Sequence, residues 1–407
     1  MKEIKLTLLG DIMCLQPQDE VATANDYNYN PVFEPIKSFL KLSDLVVGNL
    51  ETNFAGKDLK YTNTRASFNT PNSFAESLKS IGLTAVVTAN NHCLDRGVLG
   101  LKRTLDILDF YDIKHTGTYR NEKESQEILI IERSGIKMAL VCATYGTNSE
   151  YNNCFLSTQE EFYIDMLRRQ TPAKELISLK TSSLKLAIKR ILPKRLIRFL
   201  RPTNKVLPTI DCVDENEIFL AENITKLETF KEKINHAKEL SDIVIVYTHV
   251  GGQFNSIIGN YTNYVLNQLK ETSADIILGN HPHCVLPHEI YNKDKLLTYA
   301  IGNFTFTPNC GYWMDGVLSE YGIIIHIYCT PLEKKISKIT YSVIKNIIDQ
   351  DGYSRVYLVS ELISKETNKK KQRQLICDMH AVMLRFNDRT NALNSDFPNE
   401  FIIFERN

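Results

Sequence analysis

The stretch "ILGNHPHCVLPHEIY" (277–291) holds three of the chain's nine histidines, and a glutamate, just after an apolar run. Two imidazoles one residue apart, as in His281 and His283, can turn towards a single cation. Other groups able to hold a metal or a phosphate recur along the chain: Asp11, Asn49, Glu51, Asn90, Asn91, His92, His249 and Asn303. Imidazoles with carboxylates and an amide oxygen suit Mn, Fe, Zn or Co, whereas Ca prefers oxygen cages. No pair of cysteines has the spacing of a structural zinc site. Taken singly, an Asp or Asn after a strand reads as a turn former or helix cap. A lone His reads as a satisfied structural residue. Their recurrence is what points to a metal site.

The elements that must position these groups are legible as alternating patterns. "IKLTLLG" (4–10), "DLVVGNL" (44–50), "AVVTAN" (85–90), "KMALVCAT" (137–144), "DIVIVYTH" (242–249), "DIILGNH" (275–281) and "LLTYAIGNF" (296–304) are short and apolar, as buried strands are. Helical spacing runs through 70–82, 100–112, 223–241 and 263–273, which predicts an α/β architecture. In such folds, ligands bind outside the carboxyl ends of parallel strands. The polar groups sit at those ends, so residues distant in sequence can converge. "YGIIIHIYC" (321–329) and "KITYSVIKNII" (338–348) predict added antiparallel strands, and 356–385 a C-terminal helical element.

Composition narrows the function. Lys+Arg and Asp+Glu both number 48 in 407 residues, so net charge predicts no nucleic-acid partner. The N-terminus reads as a strand at once, without the pattern of a signal peptide. No run reaches the roughly 18 apolar residues of a membrane span. The nine cysteines, without a CxxC pair, read as reduced thiols of a cytoplasmic protein. Cys14 and Cys284 neighbour the candidate ligands. A thiolate would need nearby positive charge, so inward packing is expected. Residues 150–207 interrupt the alternation. Within them, Lys180 to Lys205 carries nine Lys/Arg and no acid, interleaved with Leu, Ile and Phe. Three readings stand: a helix docked on the same chain, a peripheral contact with anionic membrane, or binding of an anionic polymer.

The segments "LLGDIM", "VVGNLE", "SFNTP", "VVTANNHCLDRGVLGLKRTL", "TYGTN", "IDCVDENEI", "IVIVYTHVGGQF", "ADIILGNHPHCVLPHEIY" and "YAIGNFTF" resemble, in order, the CapA-type capsule-synthesis family. Its fold is similar to that of the calcineurin-like metallophosphoesterases. The resemblance implies two mixed β-sheets packed as a sandwich with flanking helices. The likeness covers residues 3–330; with the patterns above, a domain is expected at 1–350, with the basic insertion at about 150–207, and a helical extension at 351–407. It implies one or two divalent ions, Mn, Fe or Zn. By this likeness Asp11, Glu51, Asn91, His249, His281 and His283 are the ligands, with Glu51 where the phosphoesterase plan has a bridging aspartate. His92 resembles the catalytic histidine that protonates a leaving oxygen, with Asp95 to orient it or simply to cap a helix. Asn49, Asn90, Tyr145, Asn148, Gln253 and Asn303 are implied as substrate-binding or supporting groups. His288 and Glu289 are open between pocket lining and strand packing. The plan's first motif is Asp-x-His, but here the third residue is Met13, a poor ligand for hard ions. Near His249 the family carries an aromatic and an acid, where this chain has Val250 and Gln253. The implied activity is phosphoester hydrolysis on an anionic or phosphorylated small molecule or capsular polymer, such as poly-γ-glutamate or polysaccharide. A non-catalytic role in capsule assembly or export, and amide hydrolysis of a peptide-like polymer, are the alternatives.

Overall fold

The computed structural model describes residues 2–62, 67–170, 209, 211–308, 310, 316–393 and 396–406. Strands β1 (Ile4–Ile12), β2 (Leu45–Leu50), β3 (Ala85–Val87) and β4 (Lys114–Thr116) lie parallel, in that order. The next six strands build a second sheet: β5 (Leu129–Arg133), β6 (Ile136–Thr144), β7 (Ile243–His249), β8 (Ile276–Asn280), β9 (His288–Tyr291) and β10 (Lys295–Thr298). Its order is β5-β6-β7-β8-β10-β9, parallel except at the two edges. The chain then returns to the first sheet with β11 (Asn303–Thr305), β12 (Tyr321–Thr330), β13 (Lys335–Ile348), β14 (Ser354–Leu358) and β15 (Phe401–Glu405). The first sheet runs β14-β13-β12-β1-β2-β3-β4, with β11 beside β1 and β15 beside β13.

These are the two mixed sheets expected, packed face to face with helices outside. β1 and β7 are buried at every residue, as strands covered on both faces must be. Leu6 and Leu8 of the first sheet share one core with Ile245, Tyr247 and Leu278 of the second. The Tyr247 hydroxyl crosses that core and donates to the Leu9 carbonyl at 3.3 Å. On the far face of the second sheet, Val244, Val246 and Ile277 meet Leu227, Phe230 and Ile234 of the helix Ala221–Leu240. Truncating a core side chain such as Leu278 to Ala would cost about 2–5 kcal/mol.

Three expectations change in the structure. The apolar run 296–304 is two strands in different sheets, β10 and β11. Between them the chain crosses from one layer to the other at Gly302, whose φ is +74°. The crossing is tight: a Cβ on Gly10 would lie 2.0 Å from the Gly302 carbonyl oxygen, which accepts the Asp11 N–H at 3.1 Å. Only glycine fits at such an approach.

Residues 351–407 hold the helices Val359–Lys365 and Lys369–Arg385, but also β14 and β15. Val359, Met379, Val382 and Phe401 are buried in the same core as both sheets. Strands of five residues flanking a helical pattern are too short to be separated from it by periodicity. Residues 150–170, expected within an insertion, also belong to the body. Ile164 bridges Thr118, Met166 bridges Thr144, and both are core residues. The basic stretch 180–205, and with it the choice among a docked helix, a membrane contact and an anionic polymer, lies outside the described residues. Among the described residues no helix is long and apolar enough to cross a membrane.

Candidate metal centre

The carboxyl ends of the parallel strands of both sheets meet at one place. Asp11 ends β1, Glu51 follows β2, and Asn91 and His92 follow β3. His249 ends β7, while His281 and His283 follow β8. All seven are buried. Glu51 is the central group. Its Oε1 lies 3.4 Å from His249 Nε2, 3.8 Å from His283 Nε2 and 3.9 Å from His92 Nε2. Neither Glu51 oxygen has a hydrogen-bond partner among the described residues. A buried carboxylate without partners is costly, so its surroundings must supply positive charge.

The neighbours fall into two groups around Glu51. On one side His249 Nε2 lies 2.8 Å from Asn91 Oδ1 and 3.1 Å from His281 Nδ1. On the other, His283 Nδ1 is 3.4 Å from Asp11 Oδ2 and 3.0 Å from Asn303 Oδ1. Two sets of side chains can each bring three ligand atoms within 4.8 Å of one another: Glu51 with His281 and His283, and Asp11 with Glu51 and His249.

Electrostatics follow from that arrangement. Burial pulls the His283 imidazole down, but the Glu51 and Asp11 carboxylates outweigh it and push it up to about 9. Burial would raise the Asp11 carboxyl, but His283, His249 and Asn49 hold it below the ordinary range. Burial, then the imidazoles of His249, His283 and His92, keep His281 well below the usual range, as a neutral donor. The cluster therefore gathers positive charge around its carboxylates.

Backbone conformation aims the histidines. His281 and His283 have φ of +98° and +52°, on either side of Pro282. Non-glycine residues adopt such values at a cost of about 1–3 kcal/mol, and they cluster at functional sites. The His281 N–H donates to Asp11 Oδ2 at 3.2 Å, which ties the loop to the first sheet.

Supporting groups brace this centre. Asn49 donates to Asp11 Oδ1 at 2.7 Å and lies 3.2 Å from His249 Nδ1. Asn90 donates to Asn49 Oδ1 and to the Leu50 carbonyl, and accepts the His92 N–H. Asn303 also donates to the carbonyls of His283 and Ser319. The layer crossing at Gly302 delivers Asn303 to this position.

His92 and Asp95 are a pair. His92 Nδ1 lies 2.7 Å from Asp95 Oδ2, which also accepts the Phe68 N–H at 2.6 Å. Asn152 donates to Asp95 Oδ1 at 2.7 Å, and Asn148 Nδ2 lies 3.2 Å from His92 Nδ1. Burial lowers the His92 imidazole, but Asp95 and then Glu51 raise it more, so it ends above its ordinary value. The Phe68 ring stacks on that imidazole with centroids 4.1 Å apart. Asn152 and Phe68 are contributions that sequence reading did not single out. "SFNTP" matches the family pattern, but nothing in it marks Phe68 as a partner of His92.

A cavity of about 230 Å³ opens beside the cluster. Asn91, His92, His281 and His283 line it, together with Tyr145, Asn148 and Gln253. The apolar part of its lining is Met13, Leu15, Phe68, Phe254 and Phe306. Met13, at the plan's missing ligand position, packs in this apolar group. Asp211 and Cys212 also line the cavity, although Asp211 is engaged by Thr262 and the Cys212 N–H. His288 and Glu289 lie apart, on the edge strand β9. His288 bonds the Phe386 carbonyl, and Glu289 pairs with Lys270 at 2.7 Å. All nine cysteines are free thiols. Cys284 is fully buried and pushed up to about 12 by burial, which makes it a poor ligand or nucleophile.

A model of the family described as bacterial capsule synthesis protein PGA_cap matches residues 5–308. The capsule biosynthesis protein CapA of Bacillus anthracis is 23% identical over 323 residues, which are 79% of this chain and 64% of that one. The PGA biosynthesis protein CapA of Bacillus subtilis is 23% identical over 320 residues, 78% of this chain and 67% of that one. The chain thus spans about two thirds of the length of these relatives. Among solved structures, a novel phosphatase from Mycoplasma pneumoniae aligns at TM-score 0.39 and 14% identity, over 85% of this chain and 94% of that one. The NAD nucleotidase NadN of Haemophilus influenzae aligns at 0.37 and 12%, over 93% of this chain and 59% of that one. Neither structural likeness bears on the chemistry of this chain.

Proposed function

Since the chain belongs to the bacterial capsule synthesis family PGA_cap, we propose that it is a divalent-metal-dependent hydrolase acting on a phosphoester in capsular polymer synthesis. The observation that carries this reading is Glu51, a fully buried carboxylate with no hydrogen bond among the described residues and three imidazoles within 3.9 Å. The donor set of carboxylate, amide oxygen and neutral imidazole suits Mn, Fe or Zn. Glu51, His281 and His283 would hold one ion, and Asp11, Glu51 and His249, with the Asn91 amide oxygen beside His249, are the groups available to a second. When bound, a divalent ion supplies Lewis-acid polarisation and an ionised water near neutral pH.

The remaining chemistry belongs to the chain. His92 gives a proton to the leaving oxygen, and the Asp95 carboxylate beside it raises its pKa above the ordinary value. Asp95, held by Asn152 and the Phe68 N–H, orients the imidazole. Asn148 and Gln253 face the cavity as donors for an anionic or phosphorylated substrate, small molecule or polymer. One feature favours a second reading, a binding component of capsule assembly: Met13 stands where the phosphoesterase plan has a ligand.

Elemental analysis of protein purified without chelator, followed by phosphatase, phosphodiesterase and γ-glutamyl peptide assays with Mn, Fe or Zn, tests the proposal. His92→Ala should abolish turnover and keep the metal, while His281→Ala should lose the metal. Metal bound without turnover of any substrate would leave the binding role, and cleavage of the peptide alone would make the enzyme an amidase. Protein without metal would end the proposal.

A further inference from the structure

We infer that the apolar wall of the cavity is a subsite for an apolar, planar substituent on the leaving group of the substrate. The inference rests on the hydrolase reading above and names the class of substrate for that site. The wall is contiguous with the reacting groups. Phe68 stacks on His92 with centroids 4.1 Å apart, and Phe254 lies 5.2 Å from the His283 ring. Met13, Leu15 and Phe306 complete the surface between them.

This wall is held in place before any ligand arrives. The Phe68 N–H is tied to Asp95, the Phe306 N–H to Asn346 Oδ1 at 3.1 Å, and the Met13 carbonyl to the Thr305 hydroxyl at 2.7 Å. Each of its five side chains is 3–5% exposed, so what they show is what the cavity sees. A concave apolar face with a few convergent polar groups is the ordinary form of a small-molecule site. Among the described residues no Lys or Arg lines the cavity.

The position of the wall specifies which part of the substrate it holds. In hydrolysis, the bond from phosphorus to the water oxygen forms as the bond to the leaving oxygen breaks. The His92 proton passes to the leaving oxygen, and a water proton goes to solvent. The leaving oxygen must therefore sit at His92, and the group it carries must lie along the apolar wall that runs from Phe68 to Phe254. Met13 deepens the same surface. The departure from the phosphoesterase plan that removes a hard ligand thus adds a soft contact, because a thioether packs well against aromatic edges.

Binding to the Mn-loaded protein tests this without requiring turnover. Phenyl phosphate, methyl phosphate and inorganic phosphate are titrated by calorimetry. Phenyl phosphate should bind at least about tenfold more tightly than methyl phosphate, the usual scale for added apolar contact in a pocket. Phe254→Leu should bring that ratio to within about threefold, and Met13→Ala should shift preference towards 1-naphthyl phosphate. Thermal midpoints confirm that both variants fold. Phenyl and methyl phosphate binding alike, with inorganic phosphate also bound, would overturn the subsite and leave the metal centre standing. If none of the three binds, the hydrolase reading fails and the subsite with it.

Discussion

Glu51→Gln keeps the shape of the side chain and removes its charge, and so isolates what the carboxylate is for. Without added metal, two terms oppose. Losing a buried carboxylate relieves a desolvation cost of several kcal/mol. It also removes the attraction of the His283 imidazolium, whose Nε2 lies 3.8 Å from Glu51 Oε1. At an effective dielectric of about 20, that attraction is about 4 kcal/mol. The terms nearly cancel, so in chelator the variant should differ from the natural protein by less than about 2 kcal/mol. With metal the balance changes. An ion at one hundred times its Kd stabilises the natural protein by about 2.7 kcal/mol. The variant lacks the one carboxylate shared by both candidate ligand sets and should gain almost nothing. Urea unfolding of both proteins in EDTA and in Mn measures the two differences. A gap of about 2–3 kcal/mol should open only when Mn is present. An equal Mn-induced shift in the variant would refute the assignment of Glu51 to the cation. A deficit above about 4 kcal/mol in EDTA would make Glu51 a structural group instead.

Other changes read different parts of the molecule. Asn303→Ala removes the acceptor of the His283 ring and should weaken metal affinity about 10–100-fold, with a Kd within twofold counting against its supporting role. Asp19 is buried, with Tyr29 and Cys14 donating to Oδ1 and no partner for Oδ2 among the described residues. Burial pushes its pKa from 3.8 to about 6. The folded state therefore holds the proton longer, and stability falls as pH rises through about 4 to 6, by at most about 3 kcal/mol. The advantage of Asp19→Asn over the natural protein should grow from pH 4 to 7, and a pH-independent difference would reject this. Glu400 has the opposite sign. Burial raises it, but the charge of His326, then the Lys5 ammonium and the Thr340 and Tyr328 hydroxyls, hold it at about 2. Its contribution is present above 4.5 and lost as pH falls towards 2. Glu400→Gln should therefore destabilise at pH 7, and the deficit should vanish near pH 2; a deficit that persisted there would point to packing.

The strand-end pattern was legible in the sequence because a buried strand ends where polar residues begin. Asp11, Glu51, Asn91, His249 and His281 meet for that reason. The layer change at Gly302 was not legible: "LLTYAIGNF" is one apolar run, and only the contact between Gly10 and the Gly302 carbonyl divides it. Phe68 and Phe254 have the composition of ordinary core residues, and their place beside imidazoles follows from tertiary packing alone. Asn152 lay in a segment that looked inserted, since its contact with Asp95 spans 57 residues and leaves no local periodicity. The three-residue strand β4 carries one buried side chain, too few for a pattern.

The site draws its groups from both layers: Asp11, Glu51 and Asn91 from one sheet, His249, His281 and His283 from the other. A cation held by both halves would act as a rivet through the sandwich, joining chain segments about 270 residues apart. Chelation would then loosen the seam along its length as well as emptying a pocket. The mechanical integrity of the two-layer body and the occupancy of its reactive centre would rise and fall together.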